Sequence, residues 1–133
     1  MPLGLAWFGL DVPFSMEQVA REDRSAVTFY GGVSVPYADA AFDLVVSIQV
    51  FEHVPQPHTT FAEIARILRP SGYLLGSTSF NEPFHSESTF GYSPKNFARM
   101  IDECAANQNV EPVRANALKL ELSGQFNFLA RKR

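Results

Sequence analysis

Residues 42–50 of this chain carry Leu44, Val45, Val46, Ile48 and Val50 in a nearly unbroken apolar run. That pattern predicts a strand covered by helices on both faces, and so a central place in its sheet. Further on, Phe61, Ile64, Ala65 and Leu68 recur at the spacing of one helical face, and Thr60 with Glu63 forms a capping box. Together they predict a helix that begins near Thr60 and stops before Pro70, which cannot continue it. Gly72 supplies a turn, and YLLGSTS at 73–79 reads as the next strand. Between strand and helix lies a polar loop, residues 49–58. Strand, loop, helix and strand make one unit of an open α/β sheet, with the loop where such sheets put their ligands.

The flanks continue the pattern. Residues 3–12, LGLAWFGLDV, predict a buried strand that delivers Asp11 to the carboxyl edge of a sheet. A second capping box at Ser15 and Gln18, with Phe14 and Val19 as a hydrophobic staple, predicts a helix after it. AVTFY at 26–30 is a short strand before Gly31-Gly32. Ser93-Pro94 signals another helix, in which Phe97, Met100, Ile101 and Cys104 share one face. Cys104 is therefore expected in the core and not as a nucleophile. Residues 113–122 and 125–131 alternate around Ser123-Gly124, the mark of a hairpin.

Length and charge narrow the class. The chain has 133 residues, of which 46% are hydrophobic, enough for a single domain over 1–133 with its own core. A formal net charge of -3 without a basic run argues against nucleic acid or an anionic membrane as partner. One cysteine cannot form an intrachain disulfide, and neither a leader pattern nor an apolar stretch of spanning length is visible, which favours a cytoplasmic protein. His, Cys and acidic residues show no metal-ligand spacing, so no metal is expected.

Five short motifs in order then carry a resemblance: Pro36-Tyr37, Phe42-Asp43-Leu44-Val45, Glu52-His53-Val54, Glu63-Ile64, and Leu68-Arg69-Pro70-x-Gly72. They resemble the class I S-adenosylmethionine-dependent methyltransferases of the small-molecule "type 11" kind, closely over the middle third and coarsely over the whole chain. The resemblance implies an α/β, Rossmann-like methyltransferase sheet with helices on both faces and a C-terminal antiparallel hairpin. It implies S-adenosylmethionine as cofactor and a small-molecule methyl acceptor. Asp11 would then accept hydrogen bonds from the two ribose hydroxyls; otherwise it is an ordinary loop carboxylate near a helix N-terminus. Backbone groups of Gly32 and Val33 would edge the adenine, and Ser47, Ile48 and Gln49 would lie near the methionine portion.

His53 is the one catalytic candidate, touching substrate or orienting a proton acceptor. Its alternative is structural, with Glu52 and His53 bracing the turn after the strand. His58 is expected exposed where the helix begins. Phe84, His85, Phe90 and Tyr92 sit in a long irregular segment, residues 80–92, and are either acceptor-site residues or core packing for that loop.

The chain departs from the family in two places. Where the family has an acid to hold the adenine amino group, this sequence has Gly31. The family's first strand and glycine-rich turn should precede Asp11, but Gly4 and Gly9 stand too far apart to make that turn, so the chain reads as N-terminally truncated, a fragment or a minimal variant. The edges of the strands over 3–12 and 42–50 would then be closed by direct pairing or by a second chain, as a homodimer or with a partner chain. Two functions follow: a methyltransferase, or a non-catalytic methyltransferase-like remnant or partner subunit with weak or no cofactor binding. A nicotinamide-dependent reductase ranks last, since its glycine fingerprint is absent too.

Overall fold

A computed structural model describes residues 5–11, 27–31, 33–79, 94–116 and 125–133. It divides into two compact units, Met1–Pro36 and Tyr37–Arg133. In the first unit, β1 (Gly9–Asp11) runs parallel to β2 (Val27–Phe29), with Gly9 opposite Val27 and Asp11 opposite Phe29. The Tyr30 N–H donates to the Asp11 carbonyl at 3.0 Å and closes the pair. The strand expected over 3–12 is thus only three residues long, and Leu5, Trp7 and Phe8 are exposed outside it. An apolar run becomes strand only as far as a neighbour offers hydrogen bonds, and β2 offers three residues. The capping box at Ser15 and Gln18, with its staple, lies outside the described residues.

The second unit holds β3 (Phe42–Ile48), α1 (Pro57–Ile67), β4 (Leu68–Ser79), α2 (Pro94–Asn107), β5 (Val110–Asn116) and β6 (Gln125–Lys132). The sheet order is β3-β4-β6-β5. β3 and β4 are parallel, while β6 is antiparallel to both its neighbours. The expected terminal antiparallel pair is therefore present, although its turn at Ser123-Gly124 lies outside the described residues. Parallel β3–β4 pairing continued by an antiparallel β6 is the Rossmann-like α/β arrangement expected.

One face of this sheet carries the core. Leu74 of β4 with Phe128 and Ala130 of β6 packs under Phe61, Ile64 and Ala65 of α1 and Met100, Ile101, Cys104 and Ala105 of α2. The amphipathic spacing read in both helices is what turns these side chains inward. The other face of β3 differs from the expectation of a central strand covered on both sides. β3 is the edge strand, and Leu44, Val46 and Ile48 are 52%, 54% and 50% exposed. An apolar run shows that two faces suit a dry environment, without saying what covers each.

Helix α1 also starts earlier than its capping box suggests. Gln56 is the N-cap without a side-chain cap bond, Pro57 occupies the first turn, and Thr60 donates its N–H to the Gln56 carbonyl at 3.0 Å. Proline at that position loses no helical bond, so the helix gains a turn without cost. Glu63 is instead held by Arg66 through two bonds of 2.9 Å. Arg66 also donates to the Tyr37 carbonyl and to Asp39 Oδ1, each at 2.8 Å, so its guanidinium ties the chain before β3 to α1. These hydrogen bonds, to Glu63 first and Asp39 second, raise the Arg66 pKa above its already high ordinary value. At the other end, Lys132 Nζ donates to the Ala65 and Leu68 carbonyls at 2.7 and 2.8 Å, satisfying acceptors that the last helical turn leaves open.

α2 begins at Pro94, as expected, and Met100, Ile101 and Cys104 are buried along it. Burial, and secondarily the nearby Glu103 carboxylate, pushes the Cys104 thiol up to about 11 from its ordinary 9.0. Because the folded state holds this proton more tightly, its contribution is complete below pH 9 and is lost as pH rises toward 11. Cys104→Ala should therefore flatten the decline in stability over that interval, which urea denaturation at stepped pH would measure. An unchanged slope would remove Cys104 as its cause. Among the described residues no helix is long and apolar enough to cross a membrane.

Candidate functional site

The second unit gathers polar groups at the carboxyl ends of its two parallel strands. β3 pairs Ser47 with Gly76 and Ile48 with Ser77. Gln49 then takes a left-handed backbone conformation (φ 57°) that turns the chain out of the sheet. Its N–H still donates to the Ser77 carbonyl at 3.0 Å, and its side-chain Nε2 lies 3.4 Å from Ser77 Oγ. Ser47, Ser77 and Thr78 are buried, at 6%, 2% and 0% exposure. Buried hydroxyls are kept where they have partners, so their place at the carboxyl ends of the paired strands, and not along the apolar middle, marks a polar end to the sheet.

The next residues anchor this terminus. A single 3-10 turn, Phe51–His53, follows, with the His53 N–H donating to the Val50 carbonyl at 2.9 Å. Phe51 is fully buried, its ring 6.4 Å from that of Phe61 and 6.1 Å from that of Phe128. The polar loop therefore sits on an aromatic foundation. His53 is half-buried in the turn. His58 is exposed near the start of α1, its Nε2 3.9 Å from Glu103, a separation at the surface worth little energetically.

The hydroxyls and the Gln49 amide can each donate and accept, and none is charged. Ser47, paired with Gly76, and Ser77, paired with Ile48, stand on opposite faces of the sheet, so Ser77 and the Gln49 amide are the two of these groups that act together on one side. Ser77 and Thr78 lie at this strand end but went unassigned from the sequence. Their signal was the polar Ser77-Thr78-Ser79 that ends the apolar Tyr73-Leu74-Leu75-Gly76 stretch.

In the first unit, Asp11 is the last residue of β1 and half-buried. Val33 is 56% exposed. Gly31 is exposed too, and a Cβ built there would meet nothing within 4 Å. Gly32, Phe84, His85, Phe90 and Tyr92 lie outside the described residues, as does the side chain of Glu52.

A family model described as a methyltransferase domain matches residues 2–76, more than half of the chain. The chain belongs to that family, the class I S-adenosylmethionine-dependent methyltransferases. It is 36% identical over 67 residues to an uncharacterized methyltransferase of Mycobacterium avium, a match covering 50% of this chain and 26% of that protein. It is 40% identical over 62 residues to a ubiquinone biosynthesis O-methyltransferase of Maricaulis maris, covering 44% and 24%. The matched stretch thus spans about a quarter of these relatives. In fold, it superposes on an S-adenosylmethionine-dependent methyltransferase of Mesorhizobium loti with a TM-score of 0.70 at 12% identity, over 96% of this chain and 81% of that one.

Proposed function

We propose that this chain transfers a methyl group from S-adenosylmethionine to a small-molecule acceptor, with Ser47, Ile48 and Gln49 against the methionine portion of the cofactor. The observation that carries this reading is the buried polar terminus of β3 and β4, with Gln49 turned out of the sheet against Ser77, in a chain of this family. Ser77 and the Gln49 amide there both donate and accept, as the charged ends of an amino-acid moiety require, and the Asp11 carboxylate is the right acceptor for a pair of ribose hydroxyls. The bound cofactor supplies a methyl already activated on a sulfonium, so the residues of the chain have mainly to align donor and acceptor and exclude water. Gly32 and Val33 lend backbone edges to the adenine. Phe84, His85, Phe90 and Tyr92 wall the acceptor, and His53 takes the proton that an O–H or N–H acceptor gives up. A cytoplasmic setting suits the single thiol.

The test is calorimetric titration of the chain with the demethylated cofactor. Saturable binding is expected, and Asp11→Ala should weaken it by about tenfold to a hundredfold, the scale of lost hydrogen bonds to a charged acceptor. An unchanged curve for that variant removes Asp11 from the site. The second reading, a non-catalytic methyltransferase-like subunit with weak or no cofactor binding, is favoured by Gly31, which offers room but no acceptor for the adenine amino group. Absence of binding by the unsubstituted chain would select it.

A further inference from the structure

We propose that Ser77 is a positioning residue of the cofactor site: its hydroxyl orients the Gln49 carboxamide for the methionine portion of S-adenosylmethionine, a role that rests on the methyl-transfer reading. Two bonds join these residues across the ends of β3 and β4, one to the Gln49 backbone and one to its side chain. The Ser77 carbonyl accepts the Gln49 N–H at 3.0 Å, and Ser77 Oγ accepts from Gln49 Nε2 at 3.4 Å. Their effects are separable. The first is made by backbone groups, so it supports the left-handed turn at φ 57° whatever side chain stands at position 77. The second acts on the side chain alone, and it decides which end of the carboxamide is held to the sheet: the nitrogen, with the carbonyl oxygen at the opposite end.

Ser77 is the rigid member of the pair. It stands on β4 inside the sheet, beside Ile48 of β3 and Asn127 of β6, and it is 2% exposed. A short buried side chain on a strand bonded along both edges has little freedom to turn. Gln49 has much more, being half-buried, beyond the end of the edge strand β3, and long enough to hold several rotatable bonds. Ordering that side chain before a ligand arrives removes part of the entropy cost of binding. At 3.4 Å the bond is at the long end of the hydrogen-bond range, so it biases the amide without locking it. Ser47 cannot share the task, because its pairing with Gly76 puts it on the opposite face of the sheet.

Two readouts on the full chain test the proposal. In heteronuclear NMR spectra without ligand, the Nε2 resonances of Gln49, assigned by their loss in Gln49→Met, should shift in Ser77→Ala while the Gln49 backbone N–H keeps its protection from exchange. In calorimetric titration with the demethylated cofactor, Ser77→Ala should bind roughly three- to tenfold more weakly, the scale of one neutral hydrogen bond. In the Gln49→Met background the same substitution should change affinity no further, since the group it positions is gone. Ser77→Cys, which keeps the size and offers only a weak acceptor, is the second variant, with the same results expected should Ser77→Ala fail to fold. Unmoved Nε2 resonances, parental affinity in both Ser77 variants, or an equal loss with and without the Gln49 carboxamide would each overturn the proposal and leave the methyl-transfer reading standing. Absence of binding by the unsubstituted chain overturns that reading and this proposal with it, so the two failures are told apart.

Discussion

Gly76→Ala is expected to destabilise the second unit by about 3 kcal/mol, the upper end of what forcing a methyl into a packed core costs. Gly76 lies opposite Phe128 in the antiparallel β4–β6 register, and a Cβ built on it would clash with the Cζ end of the Phe128 ring. The ring cannot move aside freely. It is 3% exposed, packed 6.1 Å from the ring of Phe51, and carried on a strand bonded on both sides. This glycine is needed for space, because the ring that fills the core lies across the backbone where a side chain would be. The corollary is strong coupling. Phe128→Ala alone should cost about 3–5 kcal/mol through the cavity it leaves, yet in that background Gly76→Ala should be close to neutral. Urea denaturation of the four proteins of this cycle decides the matter. A Gly76→Ala variant as stable as the parent would show that the two residues do not approach so closely.

What the sequence made legible follows from how local each signal is. The start of β3, the strand character of residues 73–79, the buried face of α2 and the antiparallel pairing of β5 with β6 all rest on patterns within one element or its turn, whereas β3 ends at Ile48, two residues short of its apolar run, and β4 begins as early as Leu68. The start of α1 was ambiguous because two valid signals compete there, Pro57 as a first-turn residue and Thr60 with Glu63 as a capping box. Glu63 is taken by Arg66, whose further partners Tyr37 and Asp39 lie far back in sequence, so no local rule could have settled the choice. The placing of β3 failed for a similar reason. Leu44, Val46 and Ile48 look like the residues of a central strand, but an edge position depends on which strands pair, a property of the whole sheet. In the candidate site, Ser47 and Gln49 were named through the family motif around them. Ser77 was missed because its partner Gln49 lies 28 residues away.

Phe51→Ala should join stability and binding in a single measurement. The Phe51 ring is fully buried between those of Phe61 and Phe128, and replacing a buried phenylalanine by alanine typically costs about 3–5 kcal/mol. Its place in the chain gives the loss a second consequence. Phe51 opens the 3-10 turn that follows Gln49 and Val50, so its ring fixes the polar loop to the core. Without that anchor the left-handed conformation at Gln49 has only the Ser77 bonds to hold it. Phe51→Leu keeps much of the apolar volume and should cost about 1–2 kcal/mol, within the range of hydrophobic core swaps. Titration with the demethylated cofactor, at temperatures where all three proteins remain folded, should then show the leucine variant binding nearly as the parent does. The alanine variant should bind at least about tenfold more weakly, equivalent to 1.4 kcal/mol of lost preorganisation. If Phe51→Ala lowers the unfolding midpoint but leaves the titration unchanged, the loop after β3 takes no part in holding the cofactor.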